Sequence, residues 1–275
     1  MARANVCLTV DFDAVSSWIH SFDKAGSPRD LSRGLFGVDV GAPRLLNVFD
    51  THDITTTWFV PGHTVESFPE AVENVWTDGN GHDIQHHGWS HTRPTTYADE
   101  ASERADIERG IDAIEALTGR QPVGYRSPSW DFSSNTLSLL QDFGFEWDSS
   151  QMGSEFHPYF LREGWQAPVD APYERGELTD ILEVPVSWQR DDFPAFAFSR
   201  QRGYANERSI FEMWESQFDW MYRNVDDGVY VLTMHPQIMG YSHRIQHLEA
   251  LIEHIGSYPD VEFTAVDNVT GEMWA

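Results

Sequence analysis

Short β-branched apolar runs alternate with amphipathic stretches along the whole chain, a pattern that few folds can absorb. Runs at 6–10, 55–60, 83–87, 123–126, 145–148, 181–186, 229–233 and 261–264 have the length and residue types of buried strands. Stretches near 43–52, 69–77, 99–117, 210–224 and 243–255 carry helical spacing, and another runs to Phe143 from a cap at Ser133 or Ser134. Such alternation implies a parallel sheet with covering helices, either a (β/α) barrel or a doubly wound sheet. Asp11, His87, Arg126, Asp148 and His235 all stand at the C-terminal ends of these runs, where a barrel places its catalytic groups. The first run is not followed by G-x-G-x-x-G, so the barrel is the expected α/β fold, as one domain over 1–275.

Spacing then groups the chemistry. Residues i and i+2 of an extended strand share a face, so Asp11 and Asp13 in LTVDFDA point at one place. One of them can bind a metal while the other stays free. His87 and His91 are separated by three residues including Gly88, which lets two imidazoles converge on one ion from a compact loop or a helical turn. Asp13, His87 and His91 thus form a three-ligand set that leaves a position for water or substrate, as catalytic zinc sites do. His82 and His86 are read as structural, because alternation would not aim His86 where His87 points.

The ordered motifs resemble the polysaccharide deacetylase family, also called NodB-homology or carbohydrate esterase family 4. They are the acid pair Asp11-Phe12-Asp13, the H-x3-H of His87 to His91, Arg126-Ser127-Pro128, Asp148 in Trp147-Asp148-Ser149, and Leu232-Thr233-Met234-His235. Ser32 to Gly37, Trp58 to His63 and Gln217 to Trp220 are similar to the branch holding peptidoglycan deacetylase-like proteins, allantoinase-like enzymes and cyclic imidases. The resemblance implies a distorted (β/α) barrel of the NodB type with an aromatic-rich insertion at about 152–204, and a homo-oligomer. It also departs from the common family form, since Phe12 separates the acids and Gly88 stands where a hydroxyl residue is usual.

By that resemblance the reaction is hydrolysis of a non-peptide amide with a divalent metal, zinc, held by Asp13, His87 and His91. Asp11 is then the general base, Arg126 keeps it ionised and aimed, and His235 protonates the departing nitrogen. Asp148 either meets the substrate or orients His235. Two substrate classes stay open, an N-acetylated glycan and a cyclic imide or ureide. The aromatics Phe156, Tyr159, Phe160, Trp165, Trp188, Phe193, Phe196 and Phe198 are either a ring-binding wall or packing beneath a lid.

Composition narrows the partners. Cys7 is the sole cysteine and sits in an apolar run, which excludes an intrachain disulfide and favours an inert thiol. The chain enters its first strand without a signal pattern and has no membrane-length apolar run, so a cytoplasmic protein without a membrane partner is expected. A net charge of −26 argues against nucleic acid, and Lys24 is the only lysine beside seventeen arginines, a balance that resembles proteins of salt-accumulating halophiles. Screening shrinks the Debye length from about 10 Å at 0.1 M to about 3 Å at 1 M salt. The melting temperature should therefore rise clearly between dilute buffer and molar KCl; calorimetry showing no change would contradict the halophilic reading.

Overall fold

The computed structural model describes residues 4–198 and 203–274, and within them one curled sheet of nine strands forms the centre. In chain order these are β1 (Ala4–Asp11), β2 (Thr57–Val60), β3 (Asp83–His86), β4 (Gly124–Tyr125), β5 (Trp147–Asp148), β6 (Tyr159–Glu163), β7 (Glu177–Glu183), β8 (Gly228–Met234) and β9 (Val261–Phe263). Their spatial order is β6-β7-β5-β4-β3-β2-β1-β8, with β9 against the start of β1. Every pairing is parallel except that of β6 with β7. Beyond β8 an isolated bridge joins Thr233 to Asp191, in the segment that follows β7. The sheet is thus a distorted half-barrel of the expected α/β type, closed there by contact rather than by a full strand.

Strand β1 shows why the alternation matters. Val6, Leu8, Val10 and Phe12 join the larger core beneath the helices, whereas Cys7 packs inward with Val229, Val231 and Phe59. Cys7 is fully buried, and burial pushes its thiol up to about 12, which keeps it unreactive as expected. His82 and His86 are structural too. The His82 ring meets the Thr56 hydroxyl at 2.9 Å, and the His86 ring stacks on Tyr125 with Nε2 3.0 Å from the Ile107 carbonyl.

Departures from the expected elements have local causes. The strand expected at 181–186 starts at Glu177 and ends at Glu183, because its partner is the antiparallel β6. Only Leu161 of β6 is buried, so β6 carries no clean apolar signature. The helix Pro28–Phe36 was not expected from its polar composition, yet it has a sound start, with Pro28 in its first turn and Ser27 accepting from the Asp30 amide. Of the aromatic-rich stretch 152–204, residues 199–202 lie outside the described residues.

The short β4 is held by side chains as well as by its ladder. Gln85 Oε1 accepts from the Val123 and Gly124 amides, at 3.1 and 2.7 Å. Gly124 itself lies directly under the Trp147 indole, leaving no room for a Cβ. Gly124→Ala should therefore cost on the order of 1–3 kcal/mol through overpacking. Urea unfolding checks this; a variant as stable as the parent would show that Trp147 can move aside.

Candidate active site

Thr9, Asp11 and Asp13 leave β1 on its inner side, and the chain turns sharply after them, with Ala14 in the left-handed region at φ 50°. Strand β3 delivers His87, and the loop that follows uses Gly88 (φ 70°) and His91 (φ 53°) to return the second imidazole to the same point. Arg126 and His235 follow directly on the last residues of β4 and β8. All of these side chains are buried.

Asp13 Oδ1 is the meeting point. His91 Nε2 is 3.3 Å from it and His87 Nε2 is 3.6 Å away, but neither makes a hydrogen bond to it, so the buried oxygen has no hydrogen-bond partner among the described residues. The tautomers explain this. His87 Nδ1 donates to the Arg126 carbonyl at 2.7 Å. The Ser21 hydroxyl gives its own proton to the His91 carbonyl, so His91 Nδ1 donates to Ser21 Oγ, 2.7 Å away. In the neutral rings both Nε2 lone pairs are thereby free and converge with a carboxylate oxygen, a donor set that suits a divalent cation. Burial holds His87 neutral, with its pKa down at about 4. Burial also opposes charge on Asp13 and His91, but their mutual attraction outweighs it, lowering the carboxyl and raising the imidazole. A cation would meet the same carboxylate field.

Asp11 is anchored from the other side. Arg126 donates to Asp11 Oδ1 at 2.8 Å and to Thr9 Oγ1 at 2.9 Å from one nitrogen, while Nε and the second amino group reach the Ser149 carbonyl and hydroxyl at 2.9 and 2.8 Å. Its guanidinium carbon lies 3.9 Å from the Phe59 ring centroid. His235 Nε2 is 3.9 Å from Asp11 Oδ2. Its Nδ1 donates to Asp192 Oδ1 at 2.7 Å, and Asp192 Oδ2 accepts from the His235 amide at 2.9 Å. Burial would lower the His235 pKa, but Asp192 and Asp191 outweigh it and lift the imidazole to about 10.

A cavity of about 250 Å³ joins these groups, lined by Asp11, Asp13, His87, His91, Asp191 and His235 and walled by Phe22, Trp130, Trp188 and Phe193. Six of the seven residues singled out in the sequence thus assemble here, five on the cavity and Arg126 behind Asp11. Asp148 does not. It is fully buried, bonded to Ser150 at 2.7 Å and set against Glu183, and the carboxylate on His235 is Asp192 instead. Spacing gave no sign of Asp192, which reaches the site because the bridge from Asp191 to Thr233 lays its segment beside β8. Of the aromatics, Trp188 and Phe193 form cavity wall, Phe156 and Phe196 are core, and Tyr159 and Trp165 line a separate groove of about 1000 Å³.

This fold and site define a hydrolase of carbon–nitrogen bonds other than peptide bonds. The polysaccharide deacetylase family model matches residues 27–147. A peptidoglycan deacetylase of Helicobacter pylori is 36% identical over 98% of this chain and 95% of its own length. The crystal structure of a Mycobacterium smegmatis protein assigned to the polysaccharide deacetylases superposes with TM-score 0.84 at 32% identity, over 98% of this chain and 90% of that one. That of Puue Allantoinase does so with TM-score 0.78 at 21% identity and the same coverage, a likeness of fold alone. The chain belongs to the polysaccharide deacetylase family.

The His235–Asp192 pair has a pH signature. With its pKa lifted from 6.5 to about 10, His235 contributes stability that is fully present below about pH 6.5 and is lost as the pH rises through about 10. Asp192→Asn should drop the His235 pKa by more than one unit and remove that alkaline loss. Ring NMR titration reads the pKa directly; an unchanged value would assign the shift to other groups.

Proposed function

We propose that this protein removes the acyl group from an N-acetylated glycan in a reaction that depends on a divalent cation held by Asp13, His87 and His91. The observation that carries this is the orphaned Asp13 Oδ1, facing two imidazole nitrogens whose protons are committed to Arg126 and Ser21. Two nitrogens and a carboxylate favour zinc, which supplies Lewis acidity to polarise the amide carbonyl and to acidify water from a pKa of about 16 toward about 7.

The remaining chemistry falls to the chain. Asp11 accepts the proton of the attacking water, and Arg126, bonded to its Oδ1, aims it and leaves Oδ2 toward His235 and the cavity. His235, charged beside Asp192, gives its proton to the departing nitrogen as the carbon–nitrogen bond breaks. Amine and carboxylic acid leave, the acid giving its proton to the amine, and the proton on Asp11 passes to His235 across the 3.9 Å that separates them, restoring both.

The likeness to a peptidoglycan deacetylase of Helicobacter pylori supports the glycan. The cavity of about 250 Å³, below the ~300–1,000 Å³ of common small-molecule sites, favours the second reading, a cyclic imide or ureide. The acidic, lysine-poor composition supports a high-salt cytoplasm as the setting. One domain over 1–275 and a homo-oligomer complete the reading; exposed Trp165, Tyr173 and Leu178 offer apolar surface for self-association.

A panel of N-acetylated oligosaccharides and cyclic imides, run on zinc-loaded protein in molar salt, separates the two substrates. Asp13→Asn should lose both metal and turnover, whereas Asp11→Asn should keep the metal and lose on the order of 10²-fold or more in kcat. Stoichiometric metal in Asp13→Asn would overturn the ligand assignment.

A further inference from the structure

Behind Arg126 lies a second acidic pair that the chemistry above leaves unused. Asp148, ending β5, and Glu183, ending β7, are neighbours in the sheet, and both are fully inaccessible to solvent. Ser150 donates through its hydroxyl to Asp148 Oδ1 at 2.7 Å, and its amide reaches Asp148 Oδ2 at 3.0 Å and Glu183 Oε1 at 3.1 Å. The Gln151 amide adds a second donor to Glu183 Oε1 at 2.9 Å. Glu183 Oε2 has no donor among the described residues, which suits a carboxylic acid and not an ion. Burial and the Asp148 charge beside it push the Glu183 carboxyl well above the usual range, so it stays protonated and shares that proton with Asp148.

The strand end clamped in this way is the one that holds Arg126. Ser149 receives the guanidinium on both its carbonyl and its hydroxyl, and passes its own proton to the Val184 carbonyl, one residue beyond Glu183. Ser150 Oγ accepts from the Ser127 amide at 2.8 Å, fixing the peptide whose carbonyl oxygen, that of Arg126, orients His87. One buried acid pair therefore stands behind both the base side and the ligand side of the site.

We infer that Glu183, through its hydrogen-bonded pair with Asp148, is a positioning residue that sets the Arg126 guanidinium and carbonyl, and through them Asp11 and His87. This rests on the proposed reaction for its kinetic readout and on none of it for its structural one. A neutral amide can replace the acid, since its oxygen accepts from Ser150 and Gln151 while its NH₂ donates to Asp148.

The test compares wild type, Glu183→Gln and Glu183→Ala by hydrogen exchange of the Arg126 Nε–H in ¹⁵N NMR, and by kcat and KM on the best amide substrate. Glu183→Ala should lose about tenfold or more of the Arg126 protection. It should also lose roughly 10²-fold in kcat with KM little changed, because misplacement of about 1 Å has that effect. Glu183→Gln should retain both. Wild-type protection and kcat in folded Glu183→Ala overturns the inference, as does a Glu183→Gln impaired as deeply as Glu183→Ala. Where Glu183→Ala does not fold, Ser150→Ala, which cuts the link to the Ser127 amide, should show the same two losses; neither loss in that variant is equally fatal. A wild type inert toward every amide, with Arg126 protection lost in Glu183→Ala and kept in Glu183→Gln, supports the positioning role and counts only against the proposed reaction.

Discussion

A guanidinium sealed from water decides how the rest of this molecule must be built. Removing both Arg126 and Asp11 from solvent costs several kcal/mol per ion, and attraction offsets that only if every remaining donor is satisfied. Here Thr9, Asp11 and both acceptors of Ser149 take guanidinium protons, and the guanidinium carbon stands over the Phe59 ring. Those partners come from β1, β2 and the end of β5, so the pair holds together strands that share no turn. Losing one member of such a pair costs about 3–5 kcal/mol, a large share of the roughly 5–15 kcal/mol that keeps a domain folded. Stability and chemistry are thus vested in the same ion pair.

What could be read from the sequence was what depends on period. Two-residue alternation placed Asp11 and Asp13 on one inner side, and the H-x3-H spacing around Gly88 brought His87 and His91 to the same point. The order of apolar runs likewise predicted the parallel sheet. What stayed hidden depends on pairing at long range. Asp192 meets His235 because of one bridge across the half-barrel, and Glu183 meets Asp148 because β5 and β7 are neighbours although β6 intervenes in the chain. Asp148 was legible as a strand-end acid, but its direction was not, since alternation says which face a side chain takes and not which neighbour waits there. The Pro28–Phe36 helix was missed for a different reason, its capping signal being sound and its apolar stripe thin.

The chain manages charge in two regimes. Its net charge of −26 is dispersed over the surface, where salt screens it. The site gathers Asp11, Asp13, Asp191 and Asp192 within the barrel, where salt does little; Arg126 faces Asp11, and His235 faces Asp191 and Asp192. The matching is unequal by design of the geometry: Asp11 has a guanidinium, Asp192 an imidazole that can pass on a proton, and Asp13 two imidazoles whose lone pairs, free in the neutral rings, leave its field for a cation to fill.

Four of the eight positive-φ residues other than glycine among the described residues belong to this site. Ala14, His91, Ser129 and Trp130 all have positive φ without being glycine, and each lies at or beside the cavity. Such conformations cost on the order of 1–3 kcal/mol apiece and persist only where surrounding contacts over-determine them. The contacts are present in this case. Gly34 of the neighbouring helix packs against the Ala14 carbonyl, Ser21 holds both the ring and the carbonyl of His91, and Ser127 bonds to the Asp131 carbonyl across the Ser129–Trp130 turn. The strained turns let four strand ends and one bridging segment aim their side chains inward at a single point, which regular strand geometry alone would spread around the rim. Rigid strands set the distances in this site, and left-handed turns set the directions.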